Sequence, residues 1–402
     1  MSSHIAPSFH RIFRLSCLVL FLAACAPTSA QSTLKPINTI KPISAESTVG
    51  TTPTSESPLS SATSQVSRVI TTPIALLPTP LHSLLLKGQT ANSITLDSDY
   101  IYWTTDQDPR HIFRYPLTGG ETEIIATTQF SDGSLTTLPS IRSGDWLIFL
   151  DTQSSYTTWK VRALNLKDGT EQVVVAEAGD PASWPGPSIS ADGDWVVWTR
   201  TGHSTSENCD YTILSMRNLK TGEQRELDWI CAAQNYMWDF PSLSGDKLVV
   251  EQDLPDNKGR GNNIYLFDLT SGQHTALTNN GRSSMPTISG NWVVWKDAPR
   301  FDDDTKDIIY NLQGSTQQSM LAPGMPPYHL MADHWLYWRP SALEPFYIYD
   351  LMNEQLLKVI TPGTNKDIDA IAVTDTMVAW SLDLNFNKAL PKDSVLEWRT
   401  IP

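Results

Sequence analysis

The chain is short of cysteine, of positive charge and of long hydrophobic runs, and each shortage excludes something. Four cysteines among 402 residues are too few for a disulfide-built miniprotein fold. The 29 Lys and Arg are outnumbered by 43 Asp and Glu, and the net charge of −14 repels phosphate backbones. No local basic patch offsets it, so nucleic acid is excluded as a partner. The apolar stretch at residues 15–24 falls well short of the roughly 20 residues a membrane-spanning helix needs. Enzyme signatures are missing too: there is no Gly-x-Ser-x-Gly nucleophile elbow, and the eight histidines never form His-Glu-x-x-His. No cofactor or metal is implied, and a binding role is expected ahead of a catalytic one.

What is present begins with an address. Arg11 and Arg14, the only charged side chains in the first 24 residues, precede the apolar stretch, which ends Leu22-Ala23-Ala24-Cys25. Basic, apolar and small residues in that order make a secretory signal peptide over 1–24. Leu-Ala-Ala-Cys resembles the bacterial lipobox, which implies that Cys25 is lipidated and becomes the mature N-terminus. Several acyl chains hold a protein stably at a membrane surface, where one binds only marginally. Ala26 stands where an inner-membrane retention Asp would be. The expected place is therefore the outer membrane of a diderm, or the outer face of a monoderm's cell membrane. A tether follows over 25–73. Ser and Thr supply 18 of the 42 residues at 26–67, and no aromatic occurs from there to Tyr100, so little apolar area can offset the cost of ordering. As a flexible coil the tether would span roughly 35 to 40 Å.

Residues 74–402 are built of internal repeats. Seven five-residue blocks align on their last position: Asp99-Tyr-Ile-Tyr-Trp103, Asp145-Trp-Leu-Ile-Phe149, Asp194-Trp-Val-Val-Trp198, Asp246-Lys-Leu-Val-Val250, Asn291-Trp-Val-Val-Trp295, His334-Trp-Leu-Tyr-Trp338 and Thr376-Met-Val-Ala-Trp380. They recur every 42 to 52 residues, the period of a propeller blade made of short strands. Four copies open with Pro and a small polar residue, as in Pro187-Ser-Ile and Pro286-Thr-Ile, and a Gly-Asp or Gly-Asn hairpin turn follows. A third strand such as Ile264-Tyr-Leu-Phe, a Thr-Gly or Ser-Gly turn and a short fourth strand complete the unit. The expected fold is an all-β, seven-bladed propeller of four-stranded antiparallel blades, with six blades as the alternative. The last copy stops at Pro402 before a fourth strand, and His82–Leu86 stands as far before Trp103 as the fourth-strand segment His274-Thr-Ala-Leu-Thr278 stands before Trp295. His82–Leu86 is thus expected to supply the outer strand of the seventh blade. The Pro-Ser-Ile-Ser-Gly-Asp-Trp-Val-Val-Trp type of block resembles the TolB-like and WD-repeat-like β-propellers of microbial envelope proteins. True TolB proteins have six blades and an added N-terminal domain, whereas this chain has seven copies and a tether, so a TolB role is not carried over.

Alternating strand directions put the 2–3 loops and the connections to the next blade on one rim, and the tight turns on the other. The first rim is expected to carry long, dissimilar loops at 199–211, 252–263, 296–307 and 381–394, and binding residues concentrate on such loops. After the second strand, five blades place an acid there, Asp106, Asp151, Asp253, Asp297 and Asp383, and the other two place Arg200 and Arg339. Such acids either cap turns or form an anionic crown for a cation, a basic peptide or sugar hydroxyls. The acidic run 301–307 lacks the Asp-x-Asp-x-Asp-Gly spacing of a calcium loop, so a solvated loop is expected. Cys209 and Cys231 should both fall on this rim in blade three and, in an exported chain, form a disulfide. The function these features point to is a membrane-anchored, monomeric propeller that binds a protein or glycan through its long-loop rim. The alternatives are a carbohydrate-active or other hydrolytic propeller, or a structural subunit of an envelope complex.

Overall fold

Second strands apolar at adjacent positions can be satisfied only if both faces are covered, and a ring of stacked sheets does this. The computed structural model describes residues 66–69, 74–75 and 81–401, apart from 154–157, 179–185, 205, 233–236, 257–258, 298–305, 322–329, 340–344, 361–365 and 385–392. The signal peptide, Cys25 and most of the tether lie outside the described residues. Three strands precede the first blade: β1 (Val66–Val69), β2 (Ile74–Ala75) and β3 (His82–Leu86). Blade 1 is β4 (Ala91–Leu96), β5 (Tyr100–Thr105), β6 (His111–Pro116) and β7 (Glu123–Thr127). Blade 2 is β8 (Gly133–Ser143), β9 (Trp146–Gln153), β10 (Thr158–Asn165) and β11 (Glu171–Ala178). Blade 3 is β12 (Ile189–Asp192), β13 (Trp195–Ser204), β14 (Cys209–Asn218) and β15 (Gln224–Ala232). Blade 4 is β16 (Met237–Ser244), β17 (Lys247–Asp256), β18 (Gly259–Asp268) and β19 (Gln273–Ala276).

Blade 5 is β20 (Ser283–Ser289), β21 (Trp292–Asp297), β22 (Lys306–Asn311) and β23 (Thr316–Leu321). Blade 6 is β24 (Leu330–Ala332), β25 (Trp335–Trp338), β26 (Phe346–Asp350) and β27 (Gln355–Ile360). Blade 7 is β28 (Asp367–Val373), β29 (Met377–Asp383) and β30 (Ser394–Thr400), and its outer strand is β3, which pairs antiparallel with β30 from His82↔Trp398 to Leu86↔Ser394. The ring is seven-bladed and closed by the strand expected to close it. Two strands were not anticipated. Val66–Val69, which composition assigns to the tether, pairs parallel with β23, and Ile74–Ala75 pairs parallel with β27, so blades 5 and 6 have five strands.

The repeat's last position is buried in every blade: Trp103, Phe149, Trp198, Val250, Trp295, Trp338 and Trp380 are all 3% exposed or less. These aromatics are core, not sugar platforms. They join neighbouring blades, as where Trp103 and Phe113 of blade 1 pack with Leu396 and Trp398 of blade 7 and with Leu86 of the closing strand. Gly144, Gly193, Gly245 and Gly290 have φ between 55° and 58°, the left-handed conformation a two-residue hairpin turn requires at its first position. In blade 6 Asp333 occupies that place at φ 52°. One hydrogen bond recurs in all seven blades, from the residue after strand three to the turn between strands one and two. Leu117, Leu166, Leu219, Leu269, Leu312, Leu351 and Ile401 donate their N–H to Asp99, Asp145, Asp194, Asp246, Asn291, His334 and Thr376 carbonyls at 2.7–2.9 Å. The inner-strand serines have a reason as well. Ser190 and Ser242 hydroxyls accept N–H groups of the next blade's inner strand, from Leu243 (2.9 Å) and Ile288 (3.0 Å).

Candidate functional site

The rim opposite the tight turns differs from expectation in its backbone. The segments 199–211 and 252–263 are largely not loops. β13 and β14 stay paired from Trp195↔Asn218 out to Ser204↔Cys209, and β17 and β18 from Lys247↔Asp268 out to Asp256↔Gly259. Ladder hydrogen bonds continue past the core, so blades 3 and 4 project as β-ribbons. Parts of the other two segments, 298–305 and 385–392, lie outside the described residues, as does most of the acidic run 301–307.

Cys209 and Cys231 are bonded, with Cα atoms 5.8 Å apart on the adjacent strands β14 and β15. The bond staples the far end of the blade 3 ribbon to its outer strand. On the same face, Tyr211 lies across from Gly202, where a Cβ would come within 2.5 Å of the phenol oxygen, so the ring needs a glycine beneath it. Trp229, 41% exposed, sits with its ring 6.4 Å from that of Tyr211. Among the described residues the groups close enough to share a metal ion are Glu207, Cys209 and Cys231, and the disulfide takes both sulfurs out of contention.

The seven rim residues are placed as follows. Asp106 is exposed and accepts a hydrogen bond from the Asn92 amide. Asp151 is fully buried, bonded to Arg162 at 2.7 Å, to the Gln129 N–H at 2.9 Å and to the Thr128 hydroxyl. Arg162 is itself buried, lies 4.9 Å over the Phe149 ring and also pairs with Glu171. Arg200 reaches back 3.2 Å to Glu177 of blade 2. Asp297 is held by Arg282 at 2.7 Å, within blade 5. Arg339 crosses from blade 6 to Asp367 of blade 7 at 3.0 Å. Asp383 is fully buried opposite Asp367, whose carboxyl is pushed up by burial and by the Asp383 charge, against the pull of Arg339. Asp253 lies half-buried beside Glu251. Most of these side chains therefore hold strands and blades to one another, and they do not form an open ring of charge.

Sequence reasoning missed the acids that the rim gathers most tightly. Glu251 is 3% exposed, cross-strand from Asp239 and two residues before Asp253. Burial and the two neighbouring carboxylates push its carboxyl up to about 8, against the Met285 N–H that donates to it at 2.7 Å. Burial pushes Asp239 up as well, against bonds from the Ser188 hydroxyl and the Phe240 N–H. Phe240 and Met285 each precede a proline in an inner strand and take φ of 48° and 54° at a break in register. Asp239, Glu177 and Arg200 line a narrow cleft of about 30 Å³ with Trp159 and Met237, which is room for water but not for a sugar ring. A second buried pair, Lys296–Asp307 at 2.7 Å, fixes the end of the acidic run. One signal was available: Arg162 and Lys296 are lone cations beside apolar strand residues, and a cation there requires a buried partner.

No protein family matches the chain, and no curated protein does. Solved structures match in fold. An oligogalacturonate lyase in complex with manganese superposes with a TM-score of 0.53 at 10% identity, covering 82% of this chain and 98% of that one. The Pyrococcus horikoshii acylaminoacyl peptidase gives 0.53 at 12% identity over 78% of this chain. The chain spans about half (52%) of the length of that peptidase. The β-propeller domain of the Trilobed protease from Pyrococcus furiosus gives 0.53 at 11% identity, with 77% and 93% covered. At such identities the likeness is one of fold, and 573 solved chains share it.

Proposed function

We propose that this chain is a lipid-anchored envelope protein of the TolB-like propeller kind, fixed through Cys25, whose projecting rim at blades 3 and 4 binds a protein or glycan ligand. The observation that carries this reading is the asymmetry of the rims. One rim consists of short turns bonded to each other, while the other extends two ribbons and leaves aromatic and charged groups in solvent. Trp229 is 41% and the Asp210 side chain 89% exposed there, and large exposed aromatics are what binding surfaces use. Strand direction supports the same reading. β1 runs parallel to the outer strand β23, so the chain enters the propeller from the tight-turn rim and the ribbons point the other way.

The test is photo-crosslinking from Asp210 and Trp229 in the native cell, with Lys167 on the tight-turn rim as control. A recurrent partner from the first two positions and not the third supports the reading, and equal capture from all three defeats it.

A further inference from the structure

On the tight-turn rim, the tryptophan that opens strand two can bridge to the next blade. In blade 2, Trp146 donates its indole N–H to the Asp194 carboxylate at 3.1 Å, and in blade 6, Trp335 donates to the Asp375 carbonyl at 3.0 Å. Trp195 and Trp292, at the same place in blades 3 and 5, have no acceptor for that N–H among the described residues. Beside Trp195 the space between blades 3 and 4 forms an open cleft of about 630 Å³, within the size range of small-molecule sites. There the Asp192 carboxylate accepts the Gly245 N–H at 2.6 Å and holds the two inner turns together. Toward the outer strands stand Arg225, whose guanidinium lies 5.4 Å from the Trp195 ring centre, and Thr270.

The polar groups of the cleft are of both kinds. Asp192, Asp194 and Asp246 offer carboxylates. Each already accepts one or two bonds, from Gly245, from Trp146, and from Lys247 and Thr270 in turn, and a carboxylate can take about four. Asn218 spends its side-chain oxygen on the Lys220 and Thr221 N–H groups, so its amide NH2 is the donor it offers, with the Trp195 N–H and Arg225. Three carboxylates against one guanidinium repel an anion. They are not all within 4.8 Å of one another, as ligands of one metal ion would be. A purely cationic ligand would leave the three donors unmatched. Hydroxyl groups, which both donate and accept, match the whole set.

We propose that this cleft between blades 3 and 4 is a binding site for a short neutral oligosaccharide. Asp192 and Asp246 accept hydrogen bonds from its hydroxyls, and Trp195, Asn218 and Arg225 donate to them. The site lies on the rim opposite the ribbons, so it stands or falls independently of what they bind.

The test titrates the full chain with three neutral trisaccharides, maltotriose, cellotriose and chitotriose, followed by calorimetry. Trigalacturonate and the deacetylated glucosamine trimer serve as charged counterparts. At least one neutral trisaccharide should bind saturably with a Kd below about 1 mM, more tightly than either charged trimer. Asp246→Asn, at an exposed side chain, should weaken that binding at least about tenfold. Trp195→Phe keeps a ring and loses the donor, and should weaken it about three- to tenfold. Trp335→Phe in blade 6 should leave it as in the parent. No saturable binding of a neutral trisaccharide, a preference for either charged trimer, or an affinity unchanged in either cleft variant would overturn the site.

Discussion

The two rims of this propeller solve the same problem by different means. On the tight-turn rim, backbone groups satisfy one another: glycine at positive φ turns the hairpin, and the residue after strand three bonds the neighbouring turn in all seven blades. On the ribbon rim, side chains do the joining, through ion pairs that differ from blade to blade. Backbone joints need only a turn residue and can repeat. Side-chain joints need matched partners, so they vary, and their variation is what makes one rim individual.

Four variants would break or sharpen that contrast, in falling order of effect. Deleting the chain through Leu86 removes the closing strand and the buried contact of Leu86 with Leu396 and Trp398. Thermal unfolding should then fall by far more than for any point variant, and an unchanged melting temperature would refute closure. Asp151→Ala strands Arg162 without its buried partner and should cost about 3–5 kcal/mol in denaturant unfolding. Paired Cys209→Ser and Cys231→Ser should cost about 3 kcal/mol, and exchange should rise first in the blade 3 ribbon. Asp145→Ala on the tight-turn rim, whose side chain meets exposed Lys167, should cost less than about 0.5 kcal/mol.

The ribbon rim also carries a pH effect of its own. Glu251 titrates near 8 when folded and near the ordinary glutamate value when unfolded. Between those values the folded state alone keeps the proton, so this group's contribution to stability falls as pH rises through that window and levels off above it. Glu251→Gln should flatten the decline of melting temperature between about pH 4.5 and 8. An identical slope in parent and variant would place the proton elsewhere.

The blades, the closing strand and the disulfide were all legible in the sequence. Each rests on a short-range pattern: adjacent apolar residues in strand two, Gly-Asp between strands, His82–Leu86 at a matching offset, and two cysteines in a chain expected to be exported. The ribbons were not legible. Residues such as Ser204 and Cys209 carry no strand signal, and what extends the ladder is the neighbouring strand and the Cys209–Cys231 bond. Nor was the fate of the acids. Asp106 and Asp151 both follow strand two, but three and two residues past the aligned position, and one is exposed while the other is fully buried on Arg162 and the Gln129 N–H. Val66–Val69 was hidden in a Ser/Thr-rich stretch because four residues are too few to alter its composition.

Sequence alone determined how many blades the chain makes, where each turns and which strand closes the ring, because hydrophobic period and turn chemistry act over a few neighbouring residues. Tertiary structure alone decided which rim residues are buried, which extend into solvent and where the N-terminal strand lies. Those outcomes depend on partners some tens to hundreds of residues away, and only the closed ring brings them within reach.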